Sequence, residues 1–269
     1  MAWHSPRTVT KSLLITVSTL LILVLTLSFL DLRHRRTVFG LSSLVSSPPA
    51  PPPPSPAAAT TLRANHPKLF AASGKWDALP QQIREDPYLT RWNKTIFEKA
   101  EELFTLPSVE YKVDGTSGVL DVAREVQLRI KHWAYAYRLS KQPRWKERVW
   151  KEVVVASGNS SEHSFGVRDD NWNTDHWLDV GEFLVAFAIA YDWLYDAWST
   201  AEREAIKWSI INLGLTKGLE AHDTNAWFLM AVGNWNCVTN GGMVVGSLAV
   251  TRAYDPVPRD KYTPQPTLA

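Results

Sequence analysis

The most constraining feature of the chain is an apolar segment at residues 175–195, DHWLDVGEFLVAFAIAYDWLY. Apolar side chains cover nearly every face of the helix that it predicts, and such a helix has to be enclosed by other helices. A second segment at 233–242, GNWNCVTNGG, places three amides among glycines. The edges of the first segment carry polar groups that are costly to bury without partners: His176, Asp179, Glu182, Asp192 and Asp196. Together the segments predict an inner helix that borders a polar-lined cleft.

The composition is that of an ordinary globular protein. The 269 residues are 45% hydrophobic and 21% charged, which allows a sizeable core. The 29 basic and 27 acidic residues are mixed along the chain without a basic run, so nucleic acid is not an expected partner. The single cysteine, Cys237, excludes an internal disulfide and a zinc site of several cysteines. Thirteen tryptophans favour a carbohydrate partner, because the indole ring is a common platform for a sugar face.

Residues 13–30, LLITVSTLLILVLTLSFL, form an uncharged run that approaches the roughly 20 residues needed to cross a bilayer. They predict a transmembrane anchor after a short tail at 1–12. A cleaved signal peptide is the alternative, but the run is followed by DLRHRR and not by a small-residue cleavage site. The linker that follows, 31–65, contains SSPPAPPPPSPAAATT, which predicts an extended stalk.

The orientation of this anchor is predicted from features that disagree. Positive charges after the run favour a cytoplasmic C-terminal side. The stalk and two glycosylation sequons, at Asn93 and Asn159, favour a lumenal or extracellular domain. We give the second set more weight and expect a single-pass membrane protein of the secretory pathway or cell surface.

Helical signals follow one another from His66 onward, and no strand is predicted. Asp86-Pro87 is a helix start, with an N-cap followed by proline at the first helical position. Apolar residues at helical spacing predict two further helices, at 119–137 and 144–156. After the inner helix, Ser199 and Glu202 form a capping box. A last helix is expected at 237–254.

Helices with a single apolar face alternate along the chain with more buried helices in antiparallel hairpins, and this pattern predicts an all-α fold. The arrangement favours an (α/α) toroid of helical hairpins at residues 66–255 and not a short bundle, with an irregular tail at 256–269. The family resemblance described next implies that this toroid is incomplete.

Three segments carry a resemblance to a known family: HPKLF at 66–70, DHWLDVGEFLVAFAIAYDWLYDAWSTAERE at 175–204 and GNWNCVTNGGMVVGSLAV at 233–250. In this order they resemble the N-terminal α/α toroid of the heparinase II/III-like and alginate lyase group of polysaccharide lyases. The resemblance implies β-elimination in a uronic-acid polysaccharide. It also implies a catalytic Tyr at least one helical hairpin further on and a C-terminal β-rich domain, which have no counterpart up to Ala269. We therefore expect a partial toroid with little or no lyase activity.

Such an elimination needs a group that neutralises the uronate carboxylate and a base that removes the C5 proton. The resemblance implies Asn234 as the carboxylate ligand. The next residue, often His in the family, is here Trp235, whose ring is suited to stack on a sugar. The alternative is that Asn234, Asn236 and Asn240 only cap and bridge a glycine-rich turn.

His176 is the second candidate catalytic residue, as base or carboxylate ligand, because it precedes the inner helix in the loop NWNTDHW. The alternative is an ordinary capping or surface histidine. The predicted substrate-binding residues are Trp172, Trp177, Trp235 and Asn236. Neither a cofactor nor a metal is expected, and the expected partners are an acidic polysaccharide and, through residues 13–30, a membrane.

Two other functions remain open at this point. Asp192 and Asp196, four residues apart, are candidate paired carboxylates of an α/α-toroid glycoside hydrolase. Against this, the apolar neighbours of Asp192 suggest that it pairs with an Arg or a helix amide. The other alternative is a non-catalytic carbohydrate-binding membrane protein.

Overall fold

The computed structural model describes residues 63–116, 118–160, 164–166 and 170–251. Within these ranges every regular element is helical and no β-strand forms, which confirms the all-α prediction. Among the same residues, no helix combines the length and the hydrophobicity that a membrane span requires. The predicted anchor at 13–30, nearly all of the linker at 31–65 and the tail at 256–269 lie outside the described residues.

The described ranges contain eight α-helices. They are α1 (Ser73–Glu85), α2 (Pro87–Phe104), α3 (Leu120–Ser140), α4 (Pro143–Ala156), α5 (Trp177–Trp193), α6 (Thr200–Ser209), α7 (Thr216–Asp223) and α8 (Asn234–Val250). A π-helical turn, Ile210–Leu215, joins α6 to α7, and short 3-10 turns lie at Tyr195–Ala197 and Trp227–Met230.

The two predicted capping signals are present, and a third helix end has a glycine in the left-handed conformation. Asp86 accepts hydrogen bonds from the amides of Tyr88 and Leu89 at the start of α2. Ser199 and Glu202 make the reciprocal contacts of the capping box before α6. Beyond α4, Gly158 adopts a φ of +74°, as expected for a glycine that ends a helix. Local side-chain chemistry therefore determines these boundaries.

Two helices differ from the sequence-based prediction. No individual helix was predicted at α1, which contains Pro80 and buries only Trp76, so its apolar pattern is weak. The last helix was expected at 237–254 but runs from Asn234 to Val250. The asparagines that the alternative interpretation placed in a glycine-rich turn, Asn234, Asn236 and Asn240, therefore lie within α8. Gly233, with a φ of +123°, provides the sharp entry into this helix.

Helix α5 is the inner helix that the sequence predicted. All of its residues are buried except Glu182 and Val185, which are half-buried. It packs between α3 on one side and α8 on the other. Fifteen buried positions out of seventeen leave no face of α5 for solvent, so its neighbours define the core.

Helices α3, α5 and α8 run in the same direction. Early residues of α5 meet early residues of both neighbours: Asp179 contacts Val119, and Trp177 contacts Thr239. At the far end, Arg138 of α3 lies beside Trp193 of α5. The intervening helices return antiparallel, since α4 follows α3 after two residues and Gly214, in the π-helical turn, packs on Leu184. The fold contains a row of three parallel helices that pack on one another, and the helices that connect them along the chain run antiparallel to the row.

The backbones of α5 and α8 touch at a pair of glycines. A Cβ atom on Gly242 would lie 2.5 Å from the carbonyl oxygen of Gly181. A Cβ atom on Gly181 would lie 2.7 Å from the carbonyl oxygen of Val238. Both distances are far below van der Waals contact, so only glycine permits this approach. The contact determines how closely α8 lies against the inner helix.

The adjacent glycines of α8 offer a matched test of this contact. We expect Gly242→Ala to lower the free energy of unfolding by about 1–3 kcal/mol, because the added methyl group meets backbone. A Cβ on Gly241 meets nothing within 4 Å. We therefore expect Gly241→Ala to be neutral or to stabilise the fold by about 0.5–1 kcal/mol, since alanine is the better helix former. Urea unfolding followed by circular dichroism measures both, and equal effects would contradict the proposed contact.

Candidate functional site

The N-terminal ends of α3, α5 and α8 meet at one end of the helical row. Val119 precedes α3, His176 precedes α5, and Trp235 lies in the first turn of α8. The Val119 amide donates to Asp179 at 2.8 Å, and the His176 and Trp235 rings lie 4.7 Å apart. Each helix N-terminus carries a partial positive charge and unpaired amides. This end of the domain therefore favours negatively charged groups.

A histidine and a buried carboxylate form the centre of this end. His176 Nδ1 lies 2.6 Å from Asp179 Oδ1, three residues further on. Asp179 has no exposed side-chain surface, and the His176 side chain is 15% exposed. The second carboxylate oxygen accepts from the Val119 amide and from Asn173 Nδ2, both at 2.8 Å. Because Asp179 occupies Nδ1, the Nε2 atom of His176 is the ring nitrogen that can take up a proton.

Burial raises the pKa of the Asp179 carboxyl above its usual value of 3.8. Hydrogen bonds from Asn173, from the Val119 amide and from His176 act in the opposite direction and offset part of this rise. The carboxylate is thus held by three donors in an apolar setting. Such an arrangement orients the His176 ring and determines which of its nitrogens is presented to solvent.

Two tryptophans from the α8 region extend from His176. The edge of the Trp235 ring meets His176 at an interplanar angle of 70°, and Trp227 lies 4.8 Å from Trp235. Trp227 is 65% exposed, so one face of its ring is open to solvent. Phe228, beside it, is buried and stacks on Trp177 at 4.8 Å. His176, Trp235 and Trp227 therefore form one continuous surface, which we call the aromatic surface.

Charged groups of both signs lie towards this end of the helical row. Arg124 of α3 has a half-exposed side chain, and its Nε atom lies 3.4 Å from Glu182 Oε1 of α5. On another side, burial and the carboxylates of Asp170, Asp179 and Asp175 raise the pKa of the Tyr111 phenol. Tyr111 therefore keeps its proton at neutral pH and is suited to donate a hydrogen bond.

The structure brings some of the predicted site residues together and separates others. His176 and Trp235 are in contact, and Asn234 is exposed at the first position of α8. Asn236 donates from its amide to the Leu229 carbonyl, so it ties α8 to the preceding turn. Trp177 is buried against Phe228.

Trp172 lies apart from this surface. It is fully buried, stacks on Phe183 at 5.5 Å, and donates from Nε1 to the Ala156 carbonyl. With no ring face exposed, Trp172 belongs to the core and not to the aromatic surface beside His176.

Several residues at this end had no assigned role in the sequence analysis. Asn173 and Asp179 hold His176 by spacings of three residues, NxxHxxD, which is the one local signal that points to them. Trp227, Tyr111 and Arg124 come from separate segments. No sequence pattern relates them to His176, because only the helical row brings them close.

Asp192 and Asp196 do not form a pair of carboxylates. Asp192 is fully buried and accepts from the amides of Lys68 and Leu69 at 2.8 Å, with His66 Nδ1 at 2.6 Å. Asp196 is exposed in the following 3-10 turn. The expectation that Asp192 pairs with an Arg or a helix amide is also wrong, because its donors belong to the extended segment before α1. Asp192 anchors that segment to the end of α5.

No protein-family model matches the chain, and no curated protein matches it. Within the described residues, no group of three or more His, Cys, Asp or Glu side chains is arranged to hold a metal ion.

Two glycines in the loop before α3 offer a matched test of this site. Gly115 and Gly118 both have positive φ, +56° and +63°, so alanine is strained at each. A Cβ on Gly118 would lie 2.5 Å from Asp179 Oδ2, whereas one on Gly115 meets nothing within 4 Å. We expect Gly118→Ala to cost about 1–3 kcal/mol more than Gly115→Ala, because it also displaces the hydrogen-bonded carboxylate. Chemical denaturation measures the difference, and equal losses would show that the carboxylate tolerates the methyl group.

The pH dependence of Asp179 follows from its raised pKa. The folded state holds the proton more tightly than the unfolded chain, so the free energy of unfolding rises as the pH falls through the folded-state pKa. Carboxyl-carbon NMR should give an Asp179 midpoint above 3.8. In Asn173→Ala the midpoint should rise further, since a hydrogen bond that lowers the pKa is lost. A lower midpoint in the variant would show that Asn173 does not stabilise the charged carboxylate.

Proposed function

We propose that the helical domain binds a uronic-acid polysaccharide at the common N-terminal end of α3, α5 and α8. We further propose that this site is built for β-elimination, with His176 as the base. The observation that carries the proposal is the His176–Asp179 pair, which lies beside an aromatic surface where three helix N-termini meet.

The preference for an acidic sugar rests on the start of α8. Gly233 precedes the helix without a side-chain cap, and the first turn carries no acidic residue. Its amides and the helix dipole are therefore suited to a carboxylate. The exposed Asn234 side chain adds a donor at the same position. Arg124, half-exposed on α3, is a cation at the same end of the row.

The preference for a sugar ring rests on the tryptophans. An exposed indole face binds the apolar face of a pyranose, and the indole N–H serves a hydroxyl group. Trp227 offers an open face, and Trp235 lies between it and His176. A saccharide stacked on Trp227 would thus extend towards His176 Nε2.

The chemistry assigned to His176 follows from its hydrogen bond. Asp179 holds Nδ1, so Nε2 accepts the C5 proton of the uronate. The electrons of the C5–H bond form the C4=C5 double bond, the C4–O bond breaks, and the leaving oxygen takes the proton back from the His176 imidazolium. Asn234 and the amides at the start of α8 stabilise the carboxylate, on which negative charge develops. Asp179 stabilises the imidazolium that forms.

The described residues form an all-α fold, and we propose a partial (α/α) toroid as its architecture. It is supported by the parallel direction of α3, α5 and α8 and by the antiparallel helices that connect them.

We also propose that the domain is lumenal or extracellular, and Asn159 is then the better glycan acceptor. It lies in the loop after α4, where its Nδ2 atom donates to Ser157 Oγ, whereas Asn93 lies within the helix α2 and accepts a hydrogen bond from the Tyr135 hydroxyl.

Binding is tested by affinity electrophoresis and calorimetry with defined polyuronate oligosaccharides. We expect Asn234→Ala and Trp227→Ala each to weaken binding about tenfold, in line with the loss of a charge-assisted hydrogen bond or a stacked ring. Trp92, on α2, is 62% exposed, so Trp92→Ala is a control of matched residue type and exposure for Trp227→Ala. No binding by the unaltered chain, or equal loss in the control, would contradict the proposal.

Turnover is tested separately, by the ultraviolet absorbance of the unsaturated product. We expect any rate above background to disappear in His176→Ala. The rate should persist in His222→Ala, because His222 is exposed on α7. A rate that survives in His176→Ala would assign the base to another residue. Binding without turnover in the unaltered chain would favour a carbohydrate-binding protein without catalysis.

A further inference from the structure

The contact between α3 and α5 carries a second polar cluster beyond that of Asp179. Asp179 accepts from the Val119 amide where this contact begins. Glu182 follows three residues further along α5, which is about 4.5 Å of helix rise. Its carboxylate accepts from Gln127 Nε2 and lies 3.4 Å from Arg124 Nε, and both partners belong to α3. The second cluster therefore follows the first one along the same pair of helices.

This cluster lies at the part of α5 that is open to solvent. Glu182 and Val185 are the only residues of α5 that are not buried. The Glu182 side chain is 16% exposed and the Arg124 side chain is 53% exposed, so the carboxylate is the inner partner and the guanidinium the outer one. Arg124 therefore borders the part of α5 that a ligand can reach.

The Arg124 guanidinium is held at one edge and open at the other. Its Nε atom is directed to Glu182, and neither Nη atom donates to a described residue. Arg144 of α4 shows what the second edge of such a side chain binds in this protein. Its Nε atom donates to Gln142, and its two Nη atoms donate to the Glu101 carboxylate. The planar fork of an arginine matches two carboxylate oxygens, so the open edge of Arg124 is suited to the carboxylate of a ligand.

We propose that Arg124 binds the carboxylate of a second sugar unit, linked to the unit whose C5 proton faces His176. The inference rests on the proposed function, because it adds a neighbouring position to the same site. Asn234 at the start of α8 takes the first carboxylate, and Arg124 takes the second on the α3 side. Glu182 holds the guanidinium in advance, so less side-chain freedom is lost when the sugar binds. The site then prefers chains in which consecutive sugar units are both uronates.

Calorimetry with two unsulfated tetrasaccharides tests this preference. One carries a uronate at every unit, and the other alternates uronate with a neutral N-acetylhexosamine. We expect the full 269-residue chain to bind the first about tenfold more tightly, since the second lacks the charge-assisted pair with Arg124. In Arg124→Gln the two dissociation constants should become equal, through weaker binding of the first. Arg144→Gln is the matched control, because the Arg144 fork already holds Glu101, and this variant should keep the tenfold ratio.

A second variant, Arg124→Lys, separates the fork from the charge. Lysine keeps the positive charge but does not present two parallel donors to a carboxylate. The ratio of the two dissociation constants should therefore fall in this variant too, with the fold intact by circular dichroism. An unchanged ratio in both Arg124 variants, or an equal fall in Arg144→Gln, overturns the role of Arg124. A sulfated alternating tetrasaccharide that binds more tightly than the polyuronate would assign Arg124 to sulfate and would also overturn the proposal.

The outcomes separate this inference from the proposed function. If the unaltered chain binds neither tetrasaccharide, the proposed function fails and the role of Arg124 fails with it. If the unaltered chain binds both equally, and Asn234→Ala weakens binding of both, the proposed function stands and only the role of Arg124 is overturned.

Discussion

The backbone contact between Gly181 of α5 and Gly242 of α8 is the constraint on which the candidate site depends. It lets two helices that are far apart in sequence pack with their main chains in direct contact. The parallel alignment of α5 and α8 then places the start of α8 beside the start of α5. A larger residue at either glycine would push α8 outward and separate Trp235 from His176. The geometry of the polar end of the domain thus follows from an apolar contact one to two turns away.

Buried carboxylates hold the irregular segments around this helical row. Asp179 binds the amide that precedes α3, and Asp192 binds the segment that precedes α1. Glu152, on α4, receives Arg129 and Arg148 together with the Val109 amide. In each case a carboxylate on a helix accepts from a loop, which satisfies backbone donors that burial would otherwise leave unpaired. Asp179 and Asp192 each also hold the Nδ1 atom of a histidine at 2.6 Å. The His66 ring stacks on Tyr195 at 3.8 Å, whereas the His176 ring borders Trp235 at the start of α8, so Asp179 differs in where its histidine lies.

The proposed chemistry uses this difference. A carboxylate whose only contacts are amides or arginines stabilises the fold and does no more. A carboxylate that holds Nδ1 of a histidine also selects the tautomer and the orientation of the ring. The neighbouring tryptophans and the uncapped start of α8 supply what a uronate needs, a stacking surface and amide donors. The proposed function therefore rests on several groups that are each common elsewhere but that are combined here at one place.

The sequence by itself determined the all-α class, the enclosed helix α5 and the capped ends of α2 and α6, because these depend on apolar periodicity and on side chains within four residues. It also singled out His176 and Trp235. It did not predict α1, whose pattern is weak, or the start of α8 at Asn234. Only the tertiary structure decided that Trp172 lies in the core, that Asp192 anchors the segment before α1, and that Trp227 and Arg124 lie at the end of the row where His176 is found. These facts depend on contacts between distant segments, and no local pattern encodes the packing of parallel helices that brings them together.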